Sequence, residues 1–144
     1  MNNPDITRLR LHNQKLSTTI SMTAKEVVSE LGAVQAQDYA GAKWALAQRM
    51  KDATDSALDQ AFADGSILRT HLLRPTWHFV APEDIRWLLA LTAPRVLALL
   101  AYMDRQLELD RVLLKKSNDA LIKILQGGKQ LTRAELEPAL QRAR

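Results

Sequence analysis

The pattern of apolar residues changes at Asp64 and Gly65, and this change limits the folds open to the chain. Before this turn signal, the apolar spacing is that of helices. After it, residues 67–73 and 76–80 alternate and are rich in β-branched and aromatic side chains, which predicts two short strands joined by a turn. Helices followed by a hairpin outline a winged helix-turn-helix unit. The sequence therefore predicts a mainly α fold with a small β-hairpin.

The helices of this first unit have recognisable ends. Thr23 and Glu26 form a capping box, and Gly32 ends the helix that it opens. We expect residues 33–38 to be a tight junction. A second helix is predicted over residues 39–49, and a third begins at residue 54 or 55. The core candidates of the second helix are Trp44, Leu46 and Ala47.

The second half of the chain predicts further helices. Pro82 suits a first helical position. Pro94 would break the helix that follows, so we expect a new helix from Thr92 to about residue 109. The inward-facing residues of this region are predicted to be Ile85, Leu88, Leu89 and Leu91. Residues 118–126 are predicted to be helical, and a second capping box at Thr132 opens a last helix.

This pattern suggests three regions and an incomplete second unit. Residues 1–81 hold an N-terminal helix and the first winged-helix unit, residues 82–109 are connecting helices, and residues 110–144 begin a second winged-helix unit. No recognition helix or wing follows in that second unit. We therefore expect the sequence to be the N-terminal portion of a longer protein.

Charge and cysteine content narrow the function classes. Residues 66–144 hold thirteen Lys and Arg against eight Asp and Glu, and residues 66–82 hold two arginines, two histidines and no acid. A basic half suits a polyanion such as DNA, although surface charge that keeps a protein soluble is an equally open explanation. The absence of cysteine excludes disulfides and zinc–thiolate sites, and the three histidines show no metal-ligand spacing, so we expect no metal and no cofactor.

No signal peptide is evident, and no apolar stretch reaches membrane-spanning length, so a cytoplasmic protein is predicted, with no membrane partner.

Three segments carry a resemblance to a known family. They are residues 32–39 (Gly-Ala-Val-Gln-Ala-Gln-Asp-Tyr), residues 64–80 with their Arg-Thr-His and Arg-Pro-Thr-Trp-His runs, and residues 82–84 (Pro-Glu-Asp). Together they resemble the bacterial winged-helix family that includes the AlkZ and YcaQ DNA glycosylases, over roughly residues 7–140. Neither a Gln-x-Gln nor an Arg-x-Thr-x-His run is specific alone.

The resemblance implies a larger protein in which tandem winged-helix units line a DNA channel. Members of known activity hydrolyse the N-glycosidic bond of N7-alkylguanines and unhook interstrand crosslinks. The Gln-x-Gln pair at their catalytic centre would be Gln35 and Gln37 here. The YcaQ type has Asp at the second position, so this chain is closer to AlkZ. We expect this chain alone to be inactive because the rest of the channel would be missing.

The candidate site residues have plainer roles beside the functional ones. Gln35 and Gln37 could instead satisfy backbone groups in an inter-helix turn, and Asp38 is a rival general base or a helix N-cap. The tryptophans are expected in the core rather than stacked on bases. Five hairpin residues are predicted to contact DNA, although a hairpin kept soluble by charge fits equally: Arg69, His71, Arg74, Thr76 and His78. For His78, a hydrogen-bonded structural role is the stronger interpretation.

Three functions remain open at this stage. The favoured one is a DNA glycosylase, or its N-terminal part, acting on alkylated or crosslinked bases in double-stranded DNA. The main alternative is a non-catalytic winged-helix DNA-binding or regulatory module. A helical protein-interaction domain would explain the Leu-rich segment from Ile85 to Leu114, and it would differ from both by DNA binding that is absent or insensitive to salt.

Overall fold

The computed structural model describes residues 3–17, 21–74 and 76–143. These residues form seven helices and three strands: α1 (Asn3–Asn13), α2 (Ala24–Leu31), β1 (Val34–Gln35), α3 (Tyr39–Ala47), α4 (Asp55–Ala63), β2 (Leu68–Leu72), β3 (Thr76–Val80), α5 (Ile85–Gln106), α6 (Arg111–Ile124) and α7 (Arg133–Ala143). The prediction of a mainly α fold with a small β-hairpin is confirmed. The sequence predicts an extended connector over residues 16–22, and its residues 18–20 lie outside the described part of the chain.

The chain divides into two compact units, residues 1–96 and residues 97–144. Helix α5 contributes to both. The region boundaries predicted at residues 81 and 109 are based on sequence motifs, whereas the two units are defined by their compactness. The predicted boundaries therefore stay predictions.

Helix α2 begins and ends as its sequence predicts. The Thr23 hydroxyl oxygen accepts the N–H of Glu26 at 3.3 Å, and the Thr23 N–H donates to the Glu26 carboxylate at 2.7 Å. These bonds satisfy donors that the first turn of a helix leaves free. Gly32 follows the last turn at φ 73°, where a side chain would be strained. Val27 and Val28 turn the apolar face of α2 into the core.

The hairpin belongs to a three-stranded antiparallel sheet in the order β1-β3-β2. Val34 pairs with Phe79 across one side of β3, and Arg69 pairs with Phe79 across the other. Strand β1 corrects the prediction that residues 33–38 are only a junction. The sequence does not predict this strand because two residues are too few to show alternation. The residues of β3 that pair with it also lie more than forty positions further along the chain.

The core of the first unit lies between helices α2, α3 and α4 and one face of this sheet. Phe79 is fully buried there, with its ring centroid 4.7 Å from Phe62 and 5.9 Å from Tyr39 in edge-to-face packing. The opposite face of the hairpin carries a smaller cluster in which Leu72 and Val80 pack with Leu88 of α5.

Helix α3 is built differently from its prediction. Leu46 and Ala47 pack in or against the core as expected, but Trp44 is 68% exposed. The inward residues follow three- and four-residue steps from Tyr39 through Ala42 and Lys43 to Leu46, and Trp44 lies off that face. Lys43 is buried instead of the tryptophan because α4 supplies its counter-charges.

Helix α5 corrects a second prediction, since it runs unbroken through Pro94. Proline removes one backbone hydrogen bond in a helix but does not always end it. Two residues before the proline, the Thr92 hydroxyl donates to the Leu88 carbonyl oxygen at 2.8 Å inside the helix, rather than capping a new helix. Leu88 and Ile85 pack on the hairpin as expected, whereas Leu89 and Leu91 are exposed.

Helix α5 is also long and apolar enough, by length and composition alone, to cross a membrane. The expectation that no apolar stretch reaches that length is therefore wrong. Arg95 lies near the middle of the helix, where a bilayer would impose a cost of about 3 kcal/mol on the charge.

The second unit pairs α6 with α7. Asp110 caps α6, which begins earlier than residue 118, and its carboxylate accepts the N–H of Leu113 at 2.7 Å. Gly127 and Gly128 have positive φ and end the segment, and the Thr132 capping box forms as predicted. An apolar groove of about 490 Å³ runs beside Leu109, Leu113, Leu136 and Leu140.

Candidate active site

Gln35 lies in β1, which pairs only with β3 among the described strands. Its side chain is exposed, and its cross-strand partner is His78. Thr70 of β2 is the other partner of His78, so these three side chains lie on one face of the sheet. Gln35 therefore presents both an amide acceptor and an amide donor at the sheet edge.

Gln37 follows the strand and is tied to β3 by its side chain. Its Oε1 atom accepts the backbone N–H of Trp77 at 3.2 Å. A backbone N–H only donates, so the amide oxygen must face Trp77 and the NH₂ group must point away from it. The residue remains exposed. Gln37 thus combines a structural hydrogen bond with an oriented, accessible donor.

Arg69 does not extend freely from the hairpin. Its guanidinium donates to the Ala36 carbonyl oxygen from Nε at 3.2 Å and from Nη2 at 2.8 Å, and Nη2 lies 3.4 Å from the Gln37 carbonyl oxygen. The guanidinium carbon also lies 4.5 Å from the Trp77 ring centroid and 5.6 Å from that of Tyr39. These contacts occupy much of the side chain that was predicted to bind phosphate.

The other hairpin candidates divide between free and engaged groups. The His71 ring stacks on Trp77 with centroids 3.8 Å apart and stays exposed, so it remains available to a ligand. Arg74 is exposed beside the turn, whose Pro75 lies outside the described residues. Thr76 is half-buried, and its carbonyl oxygen contacts the ring of His78.

His78 is 6% exposed, and its Nδ1 atom lies 2.9 Å from the Thr76 carbonyl oxygen. A carbonyl oxygen accepts only, so Nδ1 carries the proton of this bond. The geometry fits the hydrogen-bonded histidine that the sequence favoured over a free DNA contact.

Asp38 acts as the N-cap of α3. Its carboxylate accepts the N–H of Gly41 at 3.3 Å. A Cβ added at Gly41 would lie 2.6 Å from the Asp38 carboxylate oxygen, so a larger residue at this position would displace the capping side chain. Of the two roles weighed for Asp38, the structure contains the capping one.

A network of charged and polar side chains lies on helices α3 and α4 of the first unit. The Lys43 amine contacts the carboxylates of Asp55 at 2.6 Å and Asp59 at 2.8 Å, and Tyr39 donates to Asp59 at 3.2 Å. Hydrogen bonds to both carboxylates raise the pKa of Lys43, and the bond from Lys43 lowers the pKa of Asp59. Burial, followed by the bond to Asp59, raises the pKa of Tyr39.

Trp77 has a role in the site that its sequence position does not predict. It was expected in the core, but it is half-buried between His71 and Arg69 and its backbone holds Gln37. The register of the hairpin places three residues on one face: 69, 71 and 77. The alternation of β2 alone shows that residues 69 and 71 share a face, but it does not show that residue 77 lies beside them. Across the described part of the chain, no three acidic or histidine side chains are grouped to bind a metal ion.

The comparisons with known proteins agree on one family. The family model for DNA glycosylase AlkZ-like proteins matches residues 28–144. The chain is also similar to the solved structure of the Streptomyces sahachiroi DNA glycosylase AlkZ, with a TM-score of 0.77 and 28% sequence identity over 91% of this chain. The match spans 35% of the length of that structure. Among curated protein sequences, none matches significantly. Because the family model covers most of the residues, this chain belongs to the AlkZ-like DNA glycosylase family.

Proposed function

We propose that this chain is the N-terminal, DNA-binding winged-helix part of a cytoplasmic DNA glycosylase that hydrolyses the N-glycosidic bond of N7-alkylguanine or crosslinked bases. The observation that carries the proposal is the placement of Gln35 and Gln37. Both side chains are exposed at a sheet edge, and the second has a fixed amide orientation. Family membership supplies the DNA-repair context for this arrangement.

The chemistry of the reaction fits what two glutamines offer. Breaking a glycosidic bond develops oxocarbenium character on the sugar. An N7-alkylguanine is already cationic and leaves without strong acid assistance, so the main requirement is an oriented water. Glutamine is a poor base, but its amide holds water through one acceptor and two donors. The rate gain would then come from positioning, and not from proton abstraction.

The distribution of charge supports one side of the first unit as the side that would face DNA. The segment from residue 66 to residue 82 has two arginines, two histidines and no acid. Helix α4, which follows α3 as a recognition helix would, has no basic residue and carries Asp55 and Asp59 with exposed side chains. A phosphate backbone would be repelled by α4 and attracted by the hairpin. We therefore place double-stranded DNA against the hairpin and the β1 edge, with His71 and Arg74 as its free cationic or polar contacts.

The test is release of 7-methylguanine from double-stranded DNA by the natural protein that contains this sequence, under single-turnover conditions. Gln35→Ala and Gln37→Ala should each lower the rate about 100-fold, the cost of losing alignment, with DNA affinity retained. Gln60→Ala is the matched control, because Gln60 is an exposed glutamine on α4. No base release by the unaltered protein, or equal loss in the control, would refute the proposal.

One observation favours a second function. The Gln37 oxygen is engaged by the Trp77 N–H, as in a purely structural turn. A non-catalytic DNA-binding module would keep this bond and bind DNA without releasing base. Its affinity would fall with salt, and Arg74→Ala would weaken binding equally for intact and alkylated DNA.

A further inference from the structure

The pairing of β1 with β3 contains an exchange of hydrogen-bond partners beside the glutamine pair. The Ala36 N–H donates to the Trp77 carbonyl oxygen at 2.7 Å. In a regular antiparallel ladder the same two residues would also form the reciprocal bond, from the Trp77 N–H to the Ala36 carbonyl. Here the Trp77 N–H donates to Gln37 Oε1 instead, and the Ala36 carbonyl accepts from Arg69.

Arg69 is suited to this exchange by its length and its planar fork. It lies on β2, two strands from β1, so its side chain crosses β3 over the Trp77 ring. Two donors converge on the Ala36 oxygen, and one of them also approaches the Gln37 carbonyl. Lysine has a single ammonium group and does not reproduce this fork.

The aromatic rings restrict where the guanidinium can move. Trp77 lies 4.5 Å from it and Tyr39 5.6 Å from it, and Tyr39 is itself held by its bond to Asp59. Ala36 is fully buried, so bulk water cannot replace the guanidinium as the hydrogen-bond donor to its carbonyl oxygen. The bond to Ala36 is therefore a constrained, part-buried contact and not a solvated surface pair.

We propose that Arg69 is a positioning residue for the glutamine pair: by occupying the Ala36 carbonyl it leaves the Trp77 N–H to Gln37, and so fixes the direction in which the Gln37 NH₂ group faces the DNA. This inference rests on the proposed glycosylase function for its kinetic part only. It reassigns Arg69 from a phosphate contact to a side chain that acts through the backbone of residues 36 and 37.

The first experiment does not depend on activity. It measures hydrogen exchange of the Trp77 backbone N–H in protein labelled with ¹⁵N-tryptophan. Arg69→Met keeps the stem over Trp77 but removes the donors, so the Ala36 carbonyl accepts the Trp77 N–H in the ladder and Gln37 is released. The Trp77 signal should therefore shift while its exchange stays slow. Gln37→Ala leaves Arg69 on the Ala36 carbonyl, so it should raise the exchange of the Trp77 N–H about tenfold. Arg74→Ala is the matched control and should change neither. An unchanged Trp77 signal in Arg69→Met would overturn the proposal.

The second experiment is kinetic and separates the two roles of Arg69. A positioning role predicts that Arg69→Met lowers single-turnover release of 7-methylguanine about 100-fold at saturating DNA, with the dissociation constant and its salt dependence unchanged. The double variant with Gln37→Ala should be no slower than Gln37→Ala, because both act through one group. A phosphate contact predicts weaker binding and a salt slope reduced by about one, with the saturated rate retained, and that result would overturn the proposal.

If Arg69→Met does not fold, Arg69→Lys is the variant to test in its place. It keeps the charge and loses the fork, so it should show the Trp77 shift and a partial loss of rate, whereas full rescue of both would contradict the role of the fork. If the unaltered protein releases no base while Arg69→Met still shifts Trp77, the proposed function fails and the positioning role stands.

Discussion

Phe79 offers the sharpest test of how the sheet is held against the helices. Its ring is fully buried and packs edge-to-face on Phe62 and Tyr39. Replacing it by alanine removes a large apolar side chain from a fully buried site on the central strand of the sheet. Such substitutions cost about 3–5 kcal/mol, a large fraction of the roughly 5–15 kcal/mol that stabilises a domain.

Phe79→Leu separates cavity formation from ring geometry. Leucine keeps most of the buried apolar volume but loses two aromatic pairs, each contributing about 0.5–1.5 kcal/mol, so the expected loss is about 1–3 kcal/mol. Urea unfolding followed by fluorescence measures both variants. With a slope of about 2 kcal/mol per molar, Phe79→Ala should lower the midpoint by about 2 M.

The matched control for Phe79 is a large apolar residue that the structure leaves exposed. Leu91 is 70% exposed on α5, so Leu91→Ala should change the free energy of unfolding by less than about 0.5 kcal/mol. If Leu91→Ala costs as much as Phe79→Ala, or if Phe79→Ala costs less than about 1 kcal/mol, the assigned core is wrong.

Three further predictions concern caps, backbone and pH. Thr54→Ala removes the acceptor for the Ala57 N–H and should cost about 1 kcal/mol in urea unfolding, while Thr54→Ser should cost little; equal losses would contradict the cap. Gly65 has φ 75°, so Gly65→Ala should lower stability by about 1–2 kcal/mol, and a stabilised variant would show that the turn is not left-handed. The bond from Lys43 lowers the pKa of Asp59 below its usual 3.8, so this stabilisation is present above that value and is lost as pH falls through the lower folded value. Urea unfolding between pH 7 and pH 3 should show stability falling below about pH 4, less steeply in Asp59→Asn; an unchanged slope would contradict the pairing.

Local signals account for the parts of the fold that the sequence predicted well. The capping box at Thr23 depends on residues three positions apart, and the Gly65 turn depends on one backbone conformation. Such features need no partner from elsewhere in the chain. The hairpin strands were predictable for the same reason, since their alternation and their turn lie within fifteen residues.

The errors come from contacts that only the folded chain supplies. Lys43 is buried because Asp55 and Asp59 come from another helix, and the two-residue strand β1 exists because β3 pairs with it. Pro94 was expected to end a helix on local grounds that the surrounding turns of α5 override.

In the candidate site, too, some features depend on local sequence and others on contacts between distant residues. The resemblance supplied Gln35 and Gln37 as candidates, and both are exposed. The sequence did not predict that Gln37 would bind a backbone forty positions away, or that Arg69 would turn toward Ala36. These bonds depend on strand order and register, which residue types alone do not specify.

The exchange of partners at Ala36 should leave a record in the evolution of the family. Position 37 must keep a side-chain oxygen for the Trp77 N–H, so Asn, Asp or Glu are tolerable replacements and Leu or Lys are not. Where position 69 has lost arginine, the Ala36 carbonyl is free to rejoin the ladder and that restriction disappears. Substitutions at 37 and 69 should therefore occur together across relatives, a covariation that an alignment can test without any enzyme assay.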